Sequence, residues 1–236
     1  MDLDDAIPKL LANEVEDCEL ALARGFSVSA LADALQQNQS LKRLVLKDAD
    51  KRVGRDTIED FDRIVKSLFH HSNLEEIEVH VGSSAAFEMT MTLADVARLV
   101  SSIPNLKRLV IQNLIFPESY QEVHAWEKAL KQNGGLTELV VPHIDTCCLV
   151  YRLDNDHAHP LATIYSALSS MPHLQHLHLG NDGSKFPSGT SAADKQASDA
   201  FRRLVSRPTL LSLEVSVRFL NLNHFAESFG PNIQRL

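Results

Sequence analysis

The chain has 236 residues, of which 44% are hydrophobic and 23% charged, and its formal net charge is -8 at pH 7. This composition is typical of an ordinary globular protein and excludes a disordered one, and no apolar run approaches the roughly 18 residues that a membrane-spanning helix needs. The negative charge disfavours general nucleic-acid binding, because phosphate contacts need a surplus of Lys and Arg on one face.

The cysteines and the N-terminal residues indicate the cellular compartment of the protein. There are three cysteines, an odd number, and Cys147 and Cys148 are adjacent, so they do not form a disulfide framework. They fit a reducing environment. The acidic start, Met1 to Asp5, differs from the basic and then apolar start of a secretory signal. We therefore expect a cytoplasmic protein, with the nucleus as the alternative.

The first predicted element is a short helix around Pro8 that carries the apolar residues Ile7, Leu10 and Leu11. Such a helix would cover the first strand of the chain, since the end unit of a repeat array needs a cap. We assign residues 1–16 to this N-terminal cap.

A short phrase, Leu-x-x-Leu-x-Leu with Ile or Val as substitutes, then recurs along the chain. Its copies begin at Leu41, Leu74, Leu106, Leu136, Leu174 and Leu210. A degenerate copy with Asp17, Leu20 and Leu22 in the same frame precedes them, and an incomplete copy ends at Leu236. Each phrase predicts a strand, and the repeats are irregular, about 23–38 residues long, with the surplus in insertions.

Amphipathic segments between the phrases predict helices. Thr92 and Asp95 form one of several capping boxes, and Pro160 suits the first turn of a helix. Prolines two residues before the first apolar position mark helix ends, because proline neither extends a helix nor lets its predecessor stay helical. They are Pro104, Pro172, Pro208 and Pro231. Asn38 and Asn133 mark the comparable break in repeats that lack this proline.

Phrases such as Ala30 to Leu35 followed by Leu41 to Leu44 resemble the ribonuclease-inhibitor-like class of leucine-rich-repeat proteins. The resemblance covers the chain from about residue 17 to the end. It implies an α/β leucine-rich-repeat solenoid, curved, with a parallel sheet on the concave side and helices on the convex side. We expect a single domain, 1–236, in which 17–215 are repeats and 216–236 an incomplete terminal repeat. No activity is implied, because function in this class depends on surface residues.

The chain departs from that class at the position where the family usually places Asn or Cys to bond the backbone between turns. This position holds Ala49, Gly82, Leu114, Ile144, Asp182 and Arg218, while Asn113 and Asn181 lie one residue early. We therefore expect the asparagine ladder to be missing or shifted and the curvature to be irregular.

The residues between the apolar positions of each strand are predicted to face the concavity, since alternate side chains point to opposite faces. One row reads Arg43, Glu76, Arg108, Glu138, His176 and Ser212, the next Val45, Glu78, Val110, Val140, His178 and Glu214, and a third Lys47, His80, Gln112, Pro142, Gly180 and Ser216. Two interpretations stay open and are compatible. Exposed charges pair laterally between strands, or the face is a docking surface with Val45, Val110 and Val140 as its dry centre.

The insertions after the strands are the second predicted binding surface. The longest, residues 143–159, contains the apolar stretch from Cys147 to Tyr151, which either anchors a partner or packs against the fold. The candidate protein-binding residues are thus Arg43, Val45, Glu76, Glu78, Arg108, Val110, Glu138, Val140, His176, His178, Glu214 and Tyr151.

The sequence gives little support for a metal site or a catalytic site. There are 11 histidines, several of them close in sequence between His157 and His178, but no spacing of a zinc site is present. No nucleophile elbow or phosphate loop is present either. Trp126, the only tryptophan, falls at helical spacing with Ala129 and Leu130 and is predicted to be a core residue. We assign no catalytic, cofactor-binding or metal-binding residues.

The sequence thus favours a non-enzymatic protein-protein interaction module that binds through its concave sheet and its post-strand loops. One rival is a regulator of a small GTPase, of the GTPase-activating type. Another is the recognition part of a larger sensor or ubiquitin-ligase adaptor. At the C-terminal end, Leu213 and Val215 would be exposed unless a last helix, about residues 222–229, covers them, so we expect missing repeats or an extra subunit there.

Overall fold

The computed structural model describes residues 3–22, 27–48, 58–69, 71–80, 91–115, 120–145, 160–181, 192–217 and 231–232. Its helices are α1 (Leu3–Leu11), α2 (Val28–Gln37), α3 (Ile58–Ser67), α4 (Leu93–Ser102), α5 (Tyr120–Gln132), α6 (Pro160–Ser170) and α7 (Ala192–Val205). Its strands are β1 (Asp17–Leu22), β2 (Arg43–Asp48), β3 (Glu76–His80), β4 (Met91–Thr92), β5 (Arg108–Ile111), β6 (Asn113–Ile115), β7 (Glu138–Val141), β8 (His143–Asp145), β9 (His176–Asn181) and β10 (Ser212–Val217).

The strands of the repeated phrase form one parallel sheet of seven strands, in the order β1-β2-β3-β5-β7-β9-β10. Equivalent positions of successive phrases lie side by side, so that Leu44 pairs with Ile77 and Ile77 with Leu109. A smaller parallel sheet joins β4, β6 and β8. The predicted α/β class with a parallel sheet is confirmed.

The core lies between the large sheet and the helices. The apolar positions of the phrases are buried there together with the inner faces of the helices. Helices that follow one another along the chain pack side by side, as seen for α1 with α2, α2 with α3, α4 with α5, α5 with α6, and α6 with α7. Trp126 is among the largest fully buried side chains, which confirms its predicted place in the core.

The register of the first repeat differs from the prediction. Cys18, not Leu20, lies beside Leu44, and Asp17 lies beside Arg43. The sequence frame was therefore wrong by two residues. Val15, Cys18 and Leu20 are buried, so they take the apolar positions of the phrase. The shift was invisible in the sequence because a two-residue slip keeps every side chain on the same face of a strand.

Helix α1, which lies in the predicted N-terminal cap, packs against α2 and contacts β1. Leu3, Ala6 and Leu10 are buried and Ile7 is partly buried, which matches one face of a helix. Leu11 is 45% exposed, so its predicted role in covering the first strand is wrong. The reason is geometric, because adjacent residues of a helix point in directions about 100° apart.

Helix starts and ends follow the predicted signals where the structure describes them. Thr92 and Asp95 form the capping box of α4, with each side chain bonded to the backbone of the other residue. Pro160 is the first residue of α6. Pro104 follows the end of α4 in a turn that leads to β5.

A buried polar residue at the helix end ties successive repeats together. Asn38 donates to the Leu10 carbonyl at 2.7 Å and Asn133 to the Val100 carbonyl at 2.9 Å. Each side-chain oxygen also accepts from two backbone amides of its own turn. These residues occupy the third position before the first apolar residue of a phrase. They supply cross-repeat bonds at a place other than the asparagine ladder of the family.

His71 and Arg207 occupy the same position in two other repeats. The Nε2 of His71 lies 2.6 Å from the Leu35 carbonyl, and Arg207 donates to the carbonyls of Leu168, at 2.8 Å, and Met171. Four of the repeats thus use three kinds of side chain, Asn, His and Arg, for the same contact. A buried carbonyl left without a donor would cost about 1–3 kcal/mol, so a polar residue is favoured at this position.

A second series of contacts runs along the surface just before the strands. Asn73 donates to the Gln39 carbonyl, Asn105 to the Ser72 carbonyl and Asn232 to the Pro208 carbonyl, at 2.5, 2.5 and 2.6 Å. Each asparagine directly precedes the first apolar residue of its phrase. The turns of neighbouring repeats are therefore bonded at equivalent atoms.

The family's usual asparagine position is apolar in the centre of the chain, as expected. Leu114 lies in β6 and is buried, and it pairs with Met91 of β4 and Ile144 of β8. Backbone pairing of the smaller sheet therefore joins the repeats where an asparagine side chain would do so. Ala49, Gly82, Asp182 and Arg218 lie outside the described residues.

We predict that replacing His71 by Asn makes the stability of the fold less sensitive to acid. Burial lowers the pKa of His71, and the bond to the Leu35 carbonyl only partly opposes this. The folded state therefore disfavours the protonated ring, and stability is lost as the pH falls below the ordinary histidine value of about 6.5. Asn at this position keeps a donor, as Asn38 and Asn133 show. Urea midpoints at pH 7.5 and 5.5 should separate less for the variant; an unchanged separation would contradict the prediction.

We predict that Gly180→Ala destabilises the protein and that Gly134→Ala does not. A Cβ on Gly180 would overlap the backbone carbonyl of Pro142, which directly follows β7, whereas a Cβ on Gly134 meets nothing within 4 Å. Backbone must move in the first case, at a cost of about 1–3 kcal/mol or more. The second change should stay within about 0.5 kcal/mol. Equal denaturation midpoints for the two variants would refute this difference.

Candidate protein-binding surface

The face of the large sheet that lies opposite the helices, which we call the open face, carries the rows predicted from the sequence. Pairing places Arg43 beside Glu76, Glu76 beside Arg108, and Arg108 beside Glu138, and the row continues to His176 and Ser212. The second row runs from Val45 to Glu214 in the same way. The structure therefore brings together the predicted residues of this face.

Glu78 is the hub of an ion-pair network at the N-terminal half of the open face. Its side chain is 11% exposed and accepts hydrogen bonds from Arg43, at 3.0 Å, from Arg108, and from His80 at 2.8 Å. Arg43 also reaches Asp17 at 3.0 Å. The side chains of three neighbouring strands and of β1 are thus linked through one carboxylate.

The arginines extend the network to both sides. Arg43 Nε lies 3.4 Å from a Glu76 oxygen, and Arg108 Nε lies 3.1 Å from a Glu138 oxygen. Burial alone would raise the pKa of Glu78, but the hydrogen bonds from His80, Arg43 and Arg108 outweigh it and lower the pKa to about 2. Glu78 is therefore a largely buried carboxylate that is charged at neutral pH and is bonded to two arginines and His80.

A further row of ion pairs flanks this network and was not predicted. Lys42 bonds Glu16 at 2.7 Å, Lys107 bonds Glu75 at 2.6 Å, and Lys47 reaches Glu19 diagonally at 2.6 Å. The alternation of acid and base at the second position of the phrase was the available signal. The contacts of β1 were missed because the frame of the first repeat was set two residues too late.

Val45 and Val110 do not form an accessible dry centre. They are 1% and 5% exposed, and the expectation that they offer an apolar contact to a partner is wrong. Both lie in the row of Glu78. A charge at Val110 would be buried, so such a variant would test folding instead of binding.

The C-terminal half of the open face, which we call the β7–β10 surface, has a different character. Val140 is half-buried, His176 and Glu214 are exposed, and His178 lies between Val140 and Glu214. The Nδ1 of His178 is 3.7 Å from Glu214, and its Nε2 has no hydrogen-bond partner among the described residues. No arginine or lysine of the paired rows reaches across this part of the sheet in the ranges that the structure describes.

The predicted loop site lies outside the described residues. This holds for Tyr151, for Cys147 and Cys148, and for most of each insertion after a strand. Within the described ranges, no group of three or more His, Cys, Asp or Glu side chains is arranged to hold a metal ion. No helix in those ranges has the length and apolarity to cross a membrane.

Comparison with known proteins gives distant structural similarities. No family model matches the chain, and no curated sequence matches it. The C-terminal domain of tropomodulin from Caenorhabditis elegans is similar with a TM-score of 0.46 and 12% identity, over 76% of this chain and 93% of that chain.

Two further solved structures show similarities of the same kind. The actin-binding site 2 of leiomodin-1 has a TM-score of 0.36 and 15% identity, over 85% of this chain and 88% of that chain. A protein from Bacteroides fragilis has a TM-score of 0.39 and 14% identity, over 99% of this chain and 84% of that chain. Similarities this distant leave the function to be inferred from the residues of this chain.

We predict that Glu78→Gln destabilises the protein at neutral pH by about 1–3 kcal/mol, because two arginines lose a largely buried ionic partner. The lowered pKa of Glu78 means that its contribution is complete above its ordinary value of about 4.3 and is lost as the pH falls toward 2. The difference between wild type and variant should therefore shrink in acid.

Glu214→Gln is the matched control for this prediction, since Glu214 is exposed and has only a loose contact with His178. Its denaturation midpoint should stay near that of the wild type. A Glu78 variant as stable as the control at pH 7 would show that the hub does not stabilise the sheet.

Proposed function

We propose that the chain is a leucine-rich-repeat solenoid of the ribonuclease-inhibitor-like class and acts as a non-enzymatic protein-binding module. The support for the class is the in-register parallel sheet with one phrase per strand and with helices packed in chain order. Equivalent atoms bond between neighbouring repeats at three places: the strand entries, the buried polar position and the surface asparagines. Such contacts are typical of repeat arrays.

The proposed contact area is the β7–β10 surface, with Glu138 at its border. One observation carries this choice: among the described residues, arginines and lysines of the open face are paired with carboxylates from β1 to β7, whereas β9 and β10 have only the looser contact of His178 with Glu214. In the N-terminal half, a partner would have to break ion pairs to gain contacts. In the C-terminal half it meets a half-buried valine, two imidazoles and an exposed carboxylate whose contact with His178 is loose.

An interaction role also fits the chemistry of the described residues. The side chains of the open face form ion pairs in place of an arrangement of nucleophile, base and oxyanion donors. Burial raises the pKa of the Cys18 thiol to about 11, so this cysteine is not a nucleophile at neutral pH. Because Cys18 is a free, buried thiol, we also propose a reducing compartment such as the cytoplasm.

We predict that Val140→Asp abolishes capture of the physiological partner while the fold persists. A new carboxylate at the centre of this surface would be poorly solvated in the contact and would repel acidic partner groups. The measurement is a quantitative comparison of proteins retained from cell extract by wild-type and variant baits, with circular dichroism to establish folding.

The matched control is Lys195→Asp, which places the same side chain on an exposed position of α7, on the helix layer. Proteins that bind the open face should be lost with Val140→Asp and kept with Lys195→Asp. Retention of all specific proteins by the folded Val140 variant would contradict binding at the β7–β10 surface.

A further inference from the structure

The large sheet ends at β1, and the outer edge of this strand has no strand beside it among the described residues. The Glu16 carbonyl accepts bonds from the amides of Lys42 and Arg43, so it points toward β2. Backbone groups of successive residues in a strand point to alternate sides. The amides and carbonyls of Asp17 and Ala21 therefore point away from β2, toward the outer edge.

At this edge, the alternating rows of acidic and basic residues end with acids. One row reads Glu16, Lys42, Glu75 and Lys107, and the next reads Asp17, Arg43, Glu76, Arg108 and Glu138. Within these rows, an inner acid lies between bases on both sides. Glu16 and Asp17 have a base on one side only, at Lys42 and Arg43, and their side chains are 64% and 63% exposed. The next position in both rows would suit a base.

The end unit also presents an apolar side chain. Leu11 of α1 is the exposed large hydrophobic residue among those described, and α1 contacts β1 from the helix layer. An added strand would carry alternate residues toward that layer. Such a strand is therefore best matched by basic residues on the open-face side and apolar or small residues on the other side.

We propose that the outer edge of β1 binds an extended, basic segment of a partner protein, which adds to the large sheet as an eighth parallel strand. Two adjacent basic residues of that segment lie beside Glu16 and Asp17, as Lys42 and Arg43 do on the inner side of β1. Its backbone bonds the outward groups of Asp17 and Ala21. This mode of recognition draws affinity from main-chain hydrogen bonds and specificity from the side chains in register.

A second copy of this chain is a poorer occupant of the edge. Stacking of one copy's β10 on the β1 of another would place Leu211 and Ser212 beside Glu16 and Asp17, because these are the equivalent positions of the last phrase. Neither residue is basic. The edge therefore favours a different chain that has the Lys-Arg pattern found in β2.

The test is a fluorescence anisotropy titration with a synthetic peptide. The peptide carries Lys, Arg and Lys at the spacing of Lys42, Arg43 and Lys47, with threonine at the other positions, and a second peptide has glutamate at the three basic positions. We expect the full chain to bind the basic peptide and not the acidic one, with an affinity that falls as salt is raised. Amide exchange at Asp17 and Ala21 should slow when the basic peptide is bound.

Two variants separate strand addition from attraction by charge. Ala21→Pro removes an outward amide without changing charge or the bonds to β2, a change that edge strands tolerate. It should weaken binding about tenfold. The double variant Glu16→Gln with Asp17→Asn should weaken it by at least as much, while Asp33→Asn with Asp199→Asn, which has the same net charge and changes acids of α2 and α7, should bind like the wild type.

Three results would overturn the proposal. Equal binding by wild type and by folded Ala21→Pro would indicate attraction by charge without strand pairing. Equal losses in the two double variants would show that the peptide responds to net charge and not to the acids of β1. No binding of the basic peptide at low salt would mean that these acids only protect the edge against pairing. None of these results bears on Val140, so the open-face proposal stands or falls separately.

Discussion

In-register parallel stacking of the repeats is the constraint on which the rest of the structure depends. Each residue of a phrase lies beside its counterpart in the next phrase, so any property of one position is repeated along a row. The apolar positions of successive phrases therefore form a continuous core. In the same way, the hydrogen bond made by the polar residue at a helix end recurs from one repeat to the next. The same rule makes like charges at one position costly, since they would lie side by side. Alternation of acid and base removes that cost.

In-register stacking of the charged rows divides the open face into regions of different character. From β1 to β7 the alternation places Glu78 between two arginines, where its carboxylate is largely buried. At β9 the row turns to histidines, and the contact given among the described residues of β9 and β10 is the looser one between His178 and Glu214. The two halves of the sheet thus differ in how their charges are paired. The edge of β1 is a third region, where the pattern ends on an acid.

The sequence predicted the strands, the rows and the helix boundaries because these follow from periodicity and from proline, which act locally. The sequence failed to predict the exposure of side chains that depends on residues of neighbouring strands. Val45 and Val110 lie in the predicted row but are buried, and the exposure of such residues depends on side chains of other strands, which the sequence does not place. The frame of the first repeat failed for another reason. A shift of two residues keeps the side chains of β1 on the same faces, and only pairing with β2 shows that Val15 and not Asp17 takes the first position of the phrase.

The polar residues that bond between repeats at the helix ends could be recognised only in part from the sequence. Asn38 and Asn133 gave a signal, because asparagine is common at helix ends. His71 and Arg207 gave none, since their shared role becomes visible only when the carbonyls they reach are known. Residues of different chemistry at one repeat position are therefore easier to relate in the structure than in the sequence.

The most direct test of in-register stacking is a double-mutant cycle on Arg43 and Glu78, measured by urea denaturation at neutral pH, with Arg43 and Glu214 as the distant pair. Neighbours in one ion-pair network couple by about 0.5–3 kcal/mol, and distant residues add. We expect the first pair to couple by about 1 kcal/mol or more and the second by nothing measurable. Additive effects for Arg43 and Glu78 would show that these strands do not pair in the stated register.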